Sequence, residues 1–509
     1  MKKLCVSLIL AVVIAACTTK IDPSGAGTDS KSSLRLAKSE IDKLYDDDSE
    51  LKRQFGKSLV KSLSESKMLR ALIKNRALEQ FNEDYEVLYA MIEDEVLEGG
   101  VQVGNLIEKN LNDKRVLQKL KDVYPTLTIL VPSLPENSFS ASKWDINTQI
   151  PRVAIKLRST NDAPIINLDQ TESVLEGKYT PGFPVVVVKE NERVVEEKNK
   201  EYRKLDTRVV ESKKGSKFRF LSESFDGKSK KNKRLGVAGV NIQSKLIDAF
   251  NIFSNGTGWH RDYIYYNIAS SGANGPFDYT FKDGLTSFRM VGDAMAAYQK
   301  ISDQTGDPAF NPIVVGQGSQ WLGGSFEFKV SCLINAKNGV GAQLTTFFPA
   351  SPSSLFNLEY VRIYNSLFGP DIYGLSNITL TGGIPLNIPI FNWDLNSYST
   401  SIKVTIEEVD ATTTTTETVS GSAKFAANFG IEGGALKKIG AKLGVSAETT
   451  QNQSYQIVTT QGNDLLGDVS INFADNVVIQ QVPFFSNSYI IKEYPTGFYS
   501  IGFEPIRVQ

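Results

Sequence analysis

The sequence predicts an α+β chain that is mainly β: a helical N-terminal region, then β-rich domains ending in a C-terminal β-sandwich. Three observations predict it. Apolar residues recur at helical spacing between 36 and 122. At Tyr124-Pro125 the period falls toward two, with Pro and Gly between short apolar runs. Beyond 235, many short strands follow one another at regular intervals, the pattern of a sandwich or barrel.

The elements follow in order. Met1-Lys2-Lys3 precedes an apolar run from Leu4 to Ala16. A short positive start, an apolar stretch and small residues before a cleavage point make a secretory signal over 1–16. The run is too short to span a bilayer, which takes about 20 residues. Residues 17–35 are rich in Ser, Thr, Gly, Asp and Lys and read as a flexible tether. In 36–122, Leu51, Phe55, Leu59 and Leu63 make one apolar stripe. Leu69, Leu72 and Ile73 continue on a second helix, Tyr85, Leu88, Tyr89 and Ile92 on a third, and Leu106 to Leu120 on another. The acidic triplet Asp46-Asp47-Asp48 reads as a helix start or solvated loop. A β-rich domain is expected over 123–221, with strands at Leu127–Val131 and Val153–Leu157 and a buried one at Val185–Val188. Residues 222–234 are polar, end in a basic run and read as a linker.

The last domain, 235–509, is expected to be the sandwich, with a Ser/Thr-rich hairpin insert over 411–462. Helical spacing marks Ile242 to Phe253 and Met290 to Ile301. Tyr263-Ile264-Tyr265-Tyr266 reads as a strand, as do Gly324 to Ile334, Gln343 to Phe348, Leu358 to Tyr364, Ser401 to Val409 and Tyr499 to Phe503.

Composition narrows the chemistry. The chain has 509 residues, room for about two or three domains. Loss of Lys2 and Lys3 takes the formal charge from −1 to about −3, which gives no electrostatic reason to bind nucleic acid. Cys5 leaves with the signal, so only Cys17 and Cys332 remain, and Cys332 reads as a buried, inert thiol in a strand. One histidine, His260, excludes a His-Glu-x-x-His zinc site. A Ser-His-Asp triad would have to use His260, with Asp262 nearby. The enzyme chemistry left open is a carboxylate pair about 5–10 Å apart, as in a glycoside hydrolase. Trp259, Tyr263, Tyr265, Tyr266 and Trp321 are either core or a sugar-stacking platform.

Ile14-Ala15-Ala16-Cys17 resembles the lipobox of bacterial lipoproteins. The resemblance implies a diacylglyceryl group on the Cys17 thiol, cleavage before it, and anchoring by acyl chains worth about 0.8 kcal/mol per buried CH₂. Thr18 follows, with no Asp to imply inner-membrane retention, so an outer-membrane location in the cell envelope is expected.

Residues 401–473 carry two further resemblances. The strand Ile402–Asp410 ends in acidic residues, and Asn463-Asp464-Leu465-Leu466-Gly467-Asp468 leads into another. This resembles pieces of C2-type β-sandwiches, and the resemblance implies Ca²⁺ at Asp410, Asp464 and Asp468. No other cofactor is expected. Within the insert, Phe425, Ala427, Phe429 and Ile431 alternate with smaller or polar residues, as do Leu443 and Val445. An amphipathic hairpin between Ser/Thr-rich strands resembles the membrane-inserting module of aerolysin-type pore formers, in which each protomer donates a hairpin and closure leaves no strand edge in lipid. Against this stands the plain reading of a half-buried hairpin packed on its own domain.

The expectation is a lipid-anchored, non-enzymatic envelope lipoprotein that binds a protein or glycan. The alternatives are a β-pore former using 412–460 and a carboxylate-based glycoside hydrolase.

Overall fold

The computed structural model describes residues 19–20, 41–157, 160–197, 207–222, 225–226, 242–253, 258–269, 275–302, 320–336, 342–365, 369–409, 414–420, 454–460, 464–482 and 489–508. Cys17 lies outside them, and so do Asp410, Phe425, Ala427, Phe429, Ile431, Leu443 and Val445. Of the segment expected as a tether, Thr19–Lys20 forms the short strand β1.

The acidic triplet starts a helix. Asp46 caps α1 (Asp47–Glu65): its carboxylate accepts from the Ser49 amide at 2.6 Å, and Ser49 Oγ accepts from the Asp46 amide at 2.9 Å. The stripe of Phe55, Leu59 and Leu63 is buried. Gly56 lets the helix press onto the sheet, since a Cβ there would lie 2.7 Å from Ile166 Cδ1 and 2.8 Å from Ile155 Cδ1. Helix α2 (Lys67–Glu79) follows as expected. The third expected helix does not form as one element: the chain enters the sheet as β2 (Glu86–Leu88) and makes one turn, α3 (Tyr89–Ile92). Pairing with a neighbouring strand overrides a helical spacing that only the last turn follows. Leu106 to Leu120 likewise divides into α4 (Val103–Lys109) and α5 (Arg115–Val123).

Strands β3 (Leu127–Leu130), β4 (Arg152–Ile155), β5 (Ala163–Ile166), β6 (Glu172–Leu175) and β8 (Val185–Glu190) join β2 in a sheet ordered β2-β3-β8-β4-β5-β6. Only β4 and β8 pair parallel. Strand β8 is buried along its whole length, as its unbroken valine run requires. Between β6 and β8, β7 (Tyr179–Pro181) pairs elsewhere. Helices α1 to α5 and this sheet share one hydrophobic core. A small sheet follows, β10-β11-β9, built from β9 (Val194–Glu196), β10 (Val209–Glu211) and β11 (Lys217–Phe220).

The second core belongs to the sandwich. After α6 (Ser244–Phe253) comes α7 (His260–Tyr266), where a strand was expected. The buried residues are His260, Arg261, Ile264 and Tyr265, a helical pattern of i, i+1, i+4 and i+5, and it outweighs the β preference of the aromatic run. Then come β12 (Phe281–Met290), α8 (Ala294–Ile301), α9 (Gln320–Gly323), β13 (Phe326–Ala336) and β14 (Ala342–Ala350). Helix α10 (Pro352–Leu355) leads into β15 (Phe356–Asn365), β16 (Gly369–Leu380), β17 (Ile384–Phe391) and β18 (Tyr398–Glu408). Next are β19 (Thr414–Ser420), β20 (Ser454–Thr460) and β21 (Asp464–Asn472). The chain closes with β22 (Val478–Gln481), β23 (Tyr489–Ile491), β24 (Glu493–Pro495) and β25 (Tyr499–Arg507).

Two antiparallel sheets, β17-β12-β25-β24 and β14-β13-β18-β21, pack face to face. The Phe288 ring lies 4.7 Å from Phe328 and 5.0 Å from Phe348 across the interface. Cys332 is fully buried between them, and burial pushes its thiol pKa well up, so it is an inert core group. On the edge, β17 alternates exposed Pro385, Asn387 and Pro389 with half-buried Ile384, Leu386, Ile388 and Ile390. Strand β16 pairs with β15, β7 and β1.

Candidate binding face

Helix α7 is pinned from below. Arg261 Nε and Nη2 both donate to Asp283 Oδ1 at 2.9 Å, and Tyr265 OH donates to Asp283 Oδ2 at 2.7 Å. Arg261 also donates to the Phe503 carbonyl at 3.1 Å and the Asp475 carbonyl at 3.2 Å, and lies over the Trp393 ring at 5.3 Å. Burial opposes the charge on Arg261, but Asp283 overcomes it and holds the guanidinium protonated. Burial, then the Asp283 carboxylate, raises the Tyr265 phenol, which stays a donor. Neither carboxylate nor guanidinium is exposed.

His260 completes the buried side. Its Nδ1 accepts from the Val477 amide at 3.1 Å and the Val478 amide at 3.4 Å. Burial and then Arg261 push its pKa down to about 4, so the ring is neutral at ordinary pH. The nitrogen that an acidic triad member would have to orient is thus taken by backbone amides, and His260 with Asp262 does not make a catalytic arrangement.

The outer side of the helix is aromatic. Trp259, Tyr263 and Tyr266 stand at i, i+4 and i+7, which puts them on one face. Trp259 is 48% exposed and stacks on Phe253 of α6 at 6.5 Å. Tyr266 OH donates to Asp394 Oδ1 at 2.7 Å and accepts from the Leu395 amide at 2.7 Å, which fixes its ring. Phe277 stacks on Tyr265 at 4.9 Å, meets Tyr266 at 5.4 Å and meets Tyr279 at 4.8 Å. Tyr279 is 63% exposed. Rings therefore run in contact from the core to the surface, each locked by the next.

Of the five aromatics singled out from sequence, Trp259, Tyr263 and Tyr266 share this face. Tyr265 points into the core, and Trp321 is buried in the first core. Phe253, Phe277 and Tyr279 were missed. The spacing Phe277-Asp278-Tyr279 just before a strand was the available signal for the last two.

Paired carboxylates do meet, but in a closed site. Where β2, β8 and β13 approach, Lys189 Nζ lies 2.6 Å from Glu86 and 2.5 Å from Glu192. Arg193 lies 2.6 Å from Glu327 and 3.4 Å from Asp84, and Lys156 lies 3.2 Å from Glu192. Four carboxylates thus face three cations. Burial, only partly offset by Arg193, pushes Glu327 up to about 7. Burial works against the charge on Glu192 too, yet Lys189 and Lys156 bring it down to about 2. Every one of these acids contacts a cation, and their side chains have 7% exposure or less, so the cluster binds the first core to the sandwich and offers no room for a sugar.

At the acidic loops, Asp464 pairs with Glu408 through the backbone. Asp468 is half exposed and ion-pairs with Lys403 at 3.0 Å, so a cation already occupies its carboxylate. No group of three or more His, Cys, Asp or Glu side chains among the described residues is placed to hold a metal ion. Strands β18 and β21 pair from Ser401↔Asn472 to Glu408↔Asp464, and β19 and β20 from Thr414↔Thr460 to Ser420↔Ser454. The two ladders follow one another along the same two stretches of chain. No helix among the described residues is long and apolar enough to cross a membrane, which says nothing of crossing by strands. Comparison with known proteins found no matching family model, no matching curated protein and no matching solved structure.

Proposed function

We propose that this chain is a lipid-anchored lipoprotein of the cell envelope, held in the outer membrane through Cys17, that binds a glycan or a protein through the aromatic face of α7 without catalysis. The observation that carries the reading is a pair of exposed aromatics held by other rings, Trp259 stacked on Phe253 and Tyr279 against Phe277. An aromatic surface that is already ordered loses little conformational entropy on binding, and aromatic faces suit sugar rings and apolar side chains alike. The other three tryptophans, Trp144, Trp321 and Trp393, are buried, so quenching by acrylamide reports Trp259. The test is titration with soluble envelope glycans and peptides. The expected result is protection of Trp259 from acrylamide by one class, with binding lost in Trp259→Ala and Tyr279→Ala. Binding that survives both substitutions would place the ligand elsewhere.

One observation favours a second reading, a β-pore former: the successive ladders of β18 with β21 and β19 with β20 build an extended hairpin whose connecting segment has the alternating pattern described above. Release of a trapped dye from vesicles, together with detergent-resistant oligomers, would support it. Intact vesicles at micromolar protein would exclude it.

A further inference from the structure

We propose that the end of the sandwich formed by α10 and the β16–β17 turn rests against the bilayer that holds the lipid, so that the aromatic face of α7 points away from the membrane. This rests on the reading of Cys17 as the lipidated residue. The first observation is β1: Thr19 and Lys20 pair antiparallel with Ile378 and Asn377. Of the two residues of β1, Thr19 is thus the one nearer the Leu380 end of β16. Two residues of extended chain reach about 7 Å at most, so the acylated residue must lie close to that end. The Leu380 end is also where β15 begins, since Phe356 pairs with Leu380, and where Thr381 donates its amide to the Leu355 carbonyl of α10.

The second observation is charge. No Asp, Glu, Lys, Arg or His occurs between Asp371 and Asp394, or between Lys337 and Glu359, in a chain that is 22% charged. Ser351, Ser353, Asn357 and Gly382 are exposed at this end, and the charged side chains beside Gly383, those of Arg289 and Glu493, are partly exposed but paired with each other at 2.7 Å. Uncharged segments beside a mutually neutralised ion pair approach lipid headgroups without repulsion from anionic lipid.

The third observation is direction. Strand β17 starts at this end and runs to Phe391, about 25 Å away for its eight residues at about 3.3 Å each. Its register on β12 places Ile384 opposite Phe288 and Phe391 opposite Asp283, the carboxylate beneath α7. Asp394, just beyond β17, accepts from Tyr266. Anchor and aromatic face are thus at opposite ends of one strand.

The test uses the lipidated full-length protein in phosphatidylcholine–phosphatidylglycerol vesicles that carry a headgroup quencher. A fluorophore is attached at Gly382→Cys or at Tyr279→Cys. A Cβ at Gly382 meets nothing within 4 Å, Tyr279 is exposed, and buried Cys332 leaves no competing thiol. Across about 25 Å, quenching at Gly382 is expected to exceed that at Tyr279 about threefold. Lys20→Pro, which places a residue disfavoured within a paired strand in β1, is expected to bring the ratio toward one. Equal or reversed quenching in protein that carries the lipid mass would overturn the orientation alone, as would an unchanged ratio in Lys20→Pro. Protein without the lipid mass would overturn the anchor, and the orientation with it.

Discussion

The charged cluster among β2, β8 and β13 and the one beneath α7 are equally hidden from water, but they differ in balance. Under α7, one guanidinium faces one carboxylate, and a phenol and two backbone carbonyls satisfy what remains. Between the cores, four carboxylates meet three cations among the described residues, and burial raises the pKa of Glu86 and pushes that of Glu327 up to about 7. The balanced pair makes a support in which Asp283 holds the buried Arg261 charged. The unbalanced cluster makes the contact between the cores dependent on pH.

Substitutions separate the two behaviours. Asp283→Ala leaves the Arg261 guanidinium buried and unpaired, and is expected to cost about 3–5 kcal/mol in denaturant unfolding. A loss below about 1 kcal/mol would mean that water reaches the pair and the support is not rigid. Glu327→Gln acts on pH dependence. The folded-state pKa of Glu327 lies above its unfolded value, so its contribution is complete at acid pH and is lost as pH rises through about 7. Relative to the Gln variant, wild type should therefore lose Tm between about pH 4.5 and 7; parallel profiles would show that Glu327 does not titrate in that range. The smallest effect is expected from His260→Gln. Here the folded pKa is depressed to about 4, so stability present above the unfolded value of about 6.5 is lost as pH falls. The acid limb of the Tm profile should be shallower in the variant, and an unchanged limb would mean that protonated His260 is tolerated in place.

What could be read from sequence follows how local each signal is. The stripe of α1, the valine run of β8 and the alternating strands β13, β14 and β18 carry their period in consecutive residues, and they formed where expected. Helix α7 was misread because its aromatic run suits a strand locally, and only the tertiary burial of His260, Arg261, Ile264 and Tyr265 makes it helical. Strands β12 and β17 went unrecognised because Gly284 and Asp283 break one pattern and Pro385 and Pro389 the other. At the candidate face, Trp259, Tyr263 and Tyr266 were visible as a cluster. The support was not, because Arg261 reaches Asp283 across 22 residues and the Phe503 carbonyl across 242.

The two prolines of β17 have a consequence beyond the fold. An edge strand without them would be a template on which a neighbouring copy could continue the sheet. Pro385 and Pro389 have no amide hydrogen to offer, so an added strand would find its ladder interrupted twice within eight residues. Molecules confined to two dimensions collide far more often than in solution, and they collide side to side. For the lipid-anchored population proposed above, a sheet edge that cannot be extended would keep close neighbours from growing into fibres.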